Sequence, residues 1–123
     1  MSQRPCILIA EDDLGPREAL RFLLKDDYRL IFAEDGREAL ARVHQDTPDL
    51  ILMDIRMPYL DGWEAIRQLR NEGISAPIIV ITGFPDPADK EKIKELSVKA
   101  YLSKPFDLLR LQELIRSTLE GVN

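Results

Sequence analysis

Five short apolar runs alternate with five stretches of helical pattern along the chain. The runs are Cys6 to Ala10, Leu30 to Ala33, Leu50 to Met53, Ile78 to Ile81 and Ala100 to Leu102. They are too short for helices. Apolar side chains on successive residues suit strands buried on both faces, as in a parallel sheet. The helical stretches run roughly Leu14 to Lys25, Arg37 to Gln45, Gly62 to Asn71, Pro87 to Leu96 and Leu108 to Leu119. Strict alternation predicts an α/β fold, with helices on both faces of a parallel sheet and right-handed crossovers.

Helix start signals recur at the expected places. Asp35-Gly-Arg-Glu38 and Asp61-Gly-Trp-Glu64 read as capping boxes with aspartate in place of serine or threonine. Asp86-Pro87-Ala-Asp89 reads as an N-cap, a proline at the first helical position and an acid in the first turn. Asp107 is placed to cap the last helix, and Pro58 to end regular structure after the third strand. Ala39, Leu40 and Val43 form one apolar stripe, and Leu108, Leu111, Leu114 and Ile115 another, both core-facing. The four capping aspartates need no chemical role, which leaves fewer acids to explain.

At 123 residues, 45% apolar, the chain is expected to form one domain over 1–123 with a real core. A net charge of -5 argues against a nucleic-acid or anionic-membrane surface. Cys6 is alone and lies in the first apolar run, so it reads as a buried core thiol. No apolar stretch is long enough to span a bilayer and no secretory signal opens the chain, so a cytoplasmic location is expected.

Chemistry gathers where the strands end. Asp54 closes the third apolar run, at the carboxyl end where open parallel sheets bind ligands. Glu11, Asp12 and Asp13 follow the first run directly. If the first strand lies beside the third, Glu11 and Asp12 meet Asp54 at one edge. Unit charges 4 Å apart repel by about 4 kcal/mol at an effective dielectric of 20, so such a cluster calls for a cation. Hard oxygen ligands that leave room for water and phosphate suit Mg²⁺. Asp13 reads as a residue that caps or precedes the first helix. The fourth strand ends Ile81-Thr82-Gly83, and the fifth leads into Ser103-Lys104-Pro105. A carboxylate nucleophile, a divalent metal, a hydroxyl and a lysine make a phosphoryl-transfer set.

These segments resemble the receiver domain of two-component response regulators, the family of the bacterial chemotaxis regulator. The resemblance runs from about Ile7 to Leu119. It rests on Ile-Leu-Ile-Ala-Glu11-Asp12-Asp13, Pro-Asp-Leu-Ile-Leu-Met-Asp54-Ile-Arg-Met-Pro-Tyr-Leu-Asp-Gly, Ile-Thr82-Gly83 and Tyr101-Leu-Ser-Lys104-Pro-Phe. It implies a flavodoxin-like fold of strand order 2-1-3-4-5. It also implies that Asp54 accepts the phosphoryl group, and that Glu11 and Asp12 bind Mg²⁺ with the backbone carbonyl of Arg56. Thr82 would be the switch hydroxyl, Lys104 the lysine that pairs with the phosphoryl group, and Tyr101 the switch aromatic. The Lys104-Pro105 bond would be cis. The expected partners are a sensor histidine kinase or phosphotransfer protein, and then a downstream protein or a C-terminal output domain. Such a chain catalyses only its own phosphorylation and dephosphorylation. One departure is Ser97-Val-Lys-Ala before Tyr101, where the family usually has Gly-Ala. It removes the easy left-handed cap of the fourth helix.

Further expectations concern positions around this set. Arg56, two residues after Asp54, and Phe84, two after Thr82, either point to solvent or crowd the path of water toward a phosphorylated Asp54. In Phe84-Pro85-Asp86-Pro87, two prolines restrict the loop beside Thr82, which confines switching to few residues and leaves the fourth helix in place. His44 reads as a surface residue, Trp63 as partly packed, and Lys90, Lys92 and Lys94 as a solvated face. Two rival functions remain. An aspartate-nucleophile phosphohydrolase of the haloacid dehalogenase kind would need an acid where Arg56 stands. A flavodoxin-like binding module would not need the complete acid, threonine and lysine set.

Overall fold

The computed structural model describes residues 4–57 and 59–121. Pro58 and its expected role lie outside the described residues. The strands are β1 (Cys6–Ala10), β2 (Arg29–Ala33), β3 (Leu50–Asp54), β4 (Ile78–Thr82) and β5 (Ala100–Ser103). Between and after them come α1 (Leu14–Leu24), α2 (Gly36–Asp46), α3 (Gly62–Asn71), α4 (Asp89–Glu95) and α5 (Leu108–Leu119). All strand pairs are parallel and the order is β2-β1-β3-β4-β5. This is the flavodoxin-like order expected above.

The apolar runs explain the layering. Every residue of β1, β3 and β4 is buried. Alternate side chains then go to opposite faces, as the pleat requires. Leu8, Ile51, Met53 and Val80 join Ala39, Val43, Trp63, Ile66, Leu69 and Leu96 in one core, under α2, α3 and α4. Ile7, Ile9, Leu52 and Ile79 join Leu20, Leu24, Leu111 and Ile115 in the other, under α1 and α5. The edge strands β2 and β5 are more exposed. Cys6 is buried and unpaired as a thiol.

Three of the four capping aspartates act as expected. Asp35 Oδ1 accepts from Glu38 N–H at 2.8 Å, and Asp61 Oδ1 from Glu64 N–H at 2.9 Å. Asp107 Oδ1 accepts from Leu109 and Arg110 N–H. Asp86 differs. Its carboxylate accepts from Ala88 N–H at 2.9 Å and its carbonyl from Asp89 N–H at 2.9 Å, so it closes a separate turn. The helix therefore starts two residues later than the proline at 87 predicted, with Ala88 as a cap that makes no side-chain bond.

Two backbone positions matter for the functional end. Gly62 packs against the end of β3. A Cβ there would sit 2.6 Å from the Asp54 carbonyl oxygen and 2.8 Å from Ile55 Cα, so only glycine fits without displacing the strand end. Gly62 N–H also donates to the Ile55 carbonyl at 2.9 Å. At the other end of the sheet, Ser97 takes φ 54° after α4 and fills the left-handed role without glycine. Val98 N–H returns to the Ile93 carbonyl at 3.0 Å. Arg70 clasps this turn: its guanidinium donates to the carbonyls of Leu96, Ile74, Ala76 and Ser97. The left-handed conformation costs an L-residue about 1–2 kcal/mol, of which glycine's extra unfolded-state entropy takes back roughly 0.5–1 kcal/mol. Ser97 is exposed. Ser97→Gly should therefore raise stability by about 0.5–1 kcal/mol in urea unfolding at constant m-value.

Candidate functional site

The carboxyl ends of β1, β3 and β5 bring Glu11, Asp12, Asp54 and Lys104 together, Thr82 ends the neighbouring β4, and Tyr101 lies apart on the α3–α4 side of the sheet. Asp54 is the last residue of β3, paired in register with Ile81 of β4, and Glu11 leaves β1 one residue after Ala10 pairs with Met53. Thr82 closes β4 opposite Ser103, and Lys104 follows immediately. Lys104 N–H donates to the Thr82 carbonyl at 2.7 Å, which fixes the start of the loop. The Lys104–Pro105 bond is cis, as expected.

The Lys104 ammonium bridges two acids. Its Nζ lies 2.9 Å from Glu11 Oε1 and 2.9 Å from Asp54 Oδ2. Glu11 is 0% exposed, so this ion pair is shielded on the acid side. The remaining oxygens are also engaged. Glu11 Oε2 accepts from Asp13 N–H at 3.1 Å, and Asp54 Oδ1 from Arg56 N–H at 3.0 Å. Asp13 caps α1 by position alone; its side chain makes no cap bond. Asp12 stays exposed. Carboxylate oxygens of Glu11, Asp12 and Asp54 lie within 4.8 Å of one another, a hard-oxygen cluster that could hold a metal ion.

Thr82 is 1% exposed, and its Oγ1 accepts from Phe84 N–H at 3.0 Å. Gly83 lines the same cleft, of about 390 Å³, with the acids and Lys104. Arg56 and Phe84 also line it; both are exposed, Phe84 at 65%, and they stack on each other. The Arg56 guanidinium lies 4.3 Å from the centre of the Phe84 ring. The stack joins the loops after β3 and β4 at the cleft that both residues line.

Tyr101 is half-buried on β5, packed on the α3–α4 side of the core. Its hydroxyl donates to Asp89 Oδ2 and its ring stacks on Trp63 at 6.5 Å. Trp63 is 7% exposed, more deeply buried than its sequence position suggests. Asp89 was not singled out by sequence beyond a place in the first turn of α4; it is 6% exposed. No periodicity signals a buried acid there, because its partner is 12 residues away on another element. Lys92 is not simply solvated, since its amine sits 5.6 Å over the Trp63 ring. Lys90 and Lys94 are exposed. His44 is exposed and meets Glu72 at 3.1 Å.

The comparisons agree with this geometry. Residues 7–116 match the family model of the response regulator receiver domain. The response regulator MprA of Mycolicibacterium vanbaalenii is 40% identical over 114 residues, 92% of this chain and 49% of that protein. A CheY-like receiver domain protein from Methanospirillum hungatei has a TM-score of 0.91 over 97% of this chain and 96% of its own, at 24% identity, and so speaks to fold alone. The receiver domain of a Pseudomonas aeruginosa sensor histidine kinase, with a magnesium ion coordinated in its active-site cleft, has a TM-score of 0.84. It is 30% identical, over 96% of this chain and 99% of its own. The chain belongs to the response regulator receiver domain family of two-component signalling. It spans about half the length of the curated relatives it matches.

Burial, with the facing Asp54 adding to it and Lys104 opposing, pushes the Glu11 carboxyl up from 4.5 to about 7. Burial opposes the charge on Lys104 as well, but its bonds to Asp54 and Glu11 outweigh that and raise its pKa. For Glu11 the sign follows directly. The folded state keeps a proton that the unfolded chain releases above 4.5, so this group's contribution to stability falls as pH rises to about 7 and is flat beyond. Glu11→Gln carries no such proton. In urea unfolding without divalent cations, wild type should lose stability relative to Glu11→Gln between pH 4.5 and 7, with no further change above.

Proposed function

We propose that Asp54 accepts a phosphoryl group from a histidine kinase or phosphotransfer protein and that the chain is thereby switched. The observation that carries this reading is the convergence of the Lys104 amine, at 2.9 Å each, on Asp54 and the buried Glu11. A protein that needed only a stable sheet would not bury an acid there. In the transfer, an Asp54 oxygen bonds to phosphorus while the donor's phosphorus–nitrogen bond breaks. The imidazole leaves with that electron pair and takes up a proton. The chain's own residues do the rest. Lys104 swings its charge toward the phosphoryl oxygens, the Gly83 backbone allows close approach, and the Thr82 hydroxyl turns in to donate.

Glu11, Asp12, Asp54 and the Arg56 main-chain carbonyl would hold Mg²⁺, whose charge would neutralise phosphoryl oxygens during transfer. The oxygen cluster fits that ion, and the magnesium in the Pseudomonas aeruginosa relative supports the assignment. Beyond its own phosphorylation and dephosphorylation the domain has no substrate. An apolar groove bounded by Pro16, Leu20, Phe106 and Leu108 runs beside Lys104 and offers the donor protein a contact. Signal then leaves through Tyr101 and the α4–β5–α5 face, to a downstream protein or an output domain. We assign 1–123 to one receiver domain and place it in the cytoplasm; no helix among the described residues is long and apolar enough to cross a membrane.

Incubation with acetyl phosphate and Mg²⁺ should add the mass of one phosphoryl group to the wild type and none to Asp54→Asn. Label on Asp54→Asn, or none on wild type, would sink the assignment; the latter outcome would favour a binding module of the same fold.

The Arg56–Phe84 stack should slow loss of the phosphoryl group, because attacking water must pass it. An exposed cation–π contact is worth about 0.5–1 kcal/mol, hence about two- to fivefold in rate. Arg56→Ala and Phe84→Ala should each speed decay of phospho-Asp54 by about that factor, and the double variant should add little. Decay no faster than wild type in both would remove the shield.

A further inference from the structure

We propose that Asp89 is a positioning residue that latches Tyr101 inward against Trp63 and ties the loop after β4 to the β5 surface. Asp89 is an acid at the start of α4, buried to 6% exposure, and takes no part in the phosphoryl site. Its Oδ2 accepts the Tyr101 hydroxyl, and the same oxygen accepts Asp86 N–H at 3.3 Å. Its Oδ1 lies 4.0 Å from Lys92 Nζ, and that amine covers the Trp63 ring. Tyr101 and Trp63 stack at 15° between planes. A buried carboxylate is costly unless paired, and here the hydrogen bonds to its Oδ2 come from the aromatic pair and from the loop, with Lys92 of α4 facing its Oδ1.

The loop supplies the connection. Thr82 Oγ1 holds Phe84 N–H, and the Asp86 carbonyl holds Asp89 N–H. Pro85 and Pro87 fix φ at two of the intervening residues, which stiffens the segment. A path therefore runs from Thr82 by hydrogen bond to Phe84, along the backbone through Pro85 to Asp86, and by hydrogen bonds from Asp86 to Asp89 and on to the phenol of Tyr101. Movement of the Thr82 hydroxyl would break the first bond and free the segment that seats Asp89. Burial and the Asp89 bond both push the Tyr101 phenol up to about 12, as expected for a hydroxyl held as a donor inside the protein.

The latch rests on the proposed phosphoryl switch only for its consequence, and its test needs no phosphoryl group. Trp63 is the one tryptophan of the chain, so its fluorescence reports on the stack. In the full chain without phosphodonor, Asp89→Ala should shift Trp63 emission to longer wavelength and increase its quenching by acrylamide. Asp89→Asn, whose amide oxygen still accepts the phenol, should keep the wild-type signal. In a Tyr101→Phe background, Asp89→Ala should add nothing. The latch is overturned by a wild-type signal in Asp89→Ala, by an equal effect with Phe at 101, or by Asn behaving like Ala. Failure of the phosphoryl switch would appear separately, as no Trp63 response of the wild type to acetyl phosphate with Mg²⁺.

Discussion

A single ammonium group holds the functional end together. Lys104 reaches across from the end of β5 to touch acids that follow β1 and end β3. Two carboxylates brought that close repel by several kcal/mol at an effective dielectric near 20, and the repulsion would be larger in a dry interior. The lysine offsets this, but only because the sheet fixes all three backbone origins. The order β2-β1-β3-β4-β5 is the arrangement that sets β1 beside β3 and puts β5 two strands away. Gly62 tightens the same end, since α3 can approach the Asp54 carbonyl only where no Cβ intervenes.

Most of the fold was legible because its signals are local. Apolar runs without alternation marked β1, β3 and β4, and burial on both faces is what such runs require. Aspartate three residues before an acid marked the starts of α2 and α3, where the side chain does bond the expected amide. The pattern at Asp86 misled by two residues. There the same side chain satisfies a turn of its own, and composition cannot tell that turn from a first helical turn. The acid, threonine and lysine set was legible through the family's motifs, since each member ends a strand or follows one directly.

What sequence left open are contacts between elements distant in the chain. Nothing local announces that Asp89 faces Tyr101, that Arg56 stacks on Phe84, or that Arg70 seals the turn at Ser97. The Arg70 case shows how a departure from the family is absorbed. The left-handed turn survives without glycine because the carbonyls of Leu96 and Ser97, on both sides of the strained residue's backbone, are held by one half-buried guanidinium. Burial lowers the pKa of that group, yet its carbonyl bonds keep it useful as a clasp.

The charge count at the cleft explains why rigidity and responsiveness coexist there. Glu11, Asp12 and Asp54 against Lys104 leave three negative charges facing one positive. Burial, with the facing Asp54 adding to it, makes Glu11 hold its proton more tightly than an exposed glutamate does. A site balanced by lysine alone would have little to gain from another cation, and a site with no lysine would not keep Glu11 buried. Between those limits the side chains stay in place while their protonation, and the partner that Lys104 favours, remain adjustable. The sheet bears the cost in conformational entropy; the loops after β3, β4 and β5 carry the groups that can re-pair. A new dianion on Asp54 would therefore be felt first by Lys104 and Thr82, whose bonds to Glu11 and Phe84 are the ones it can compete for.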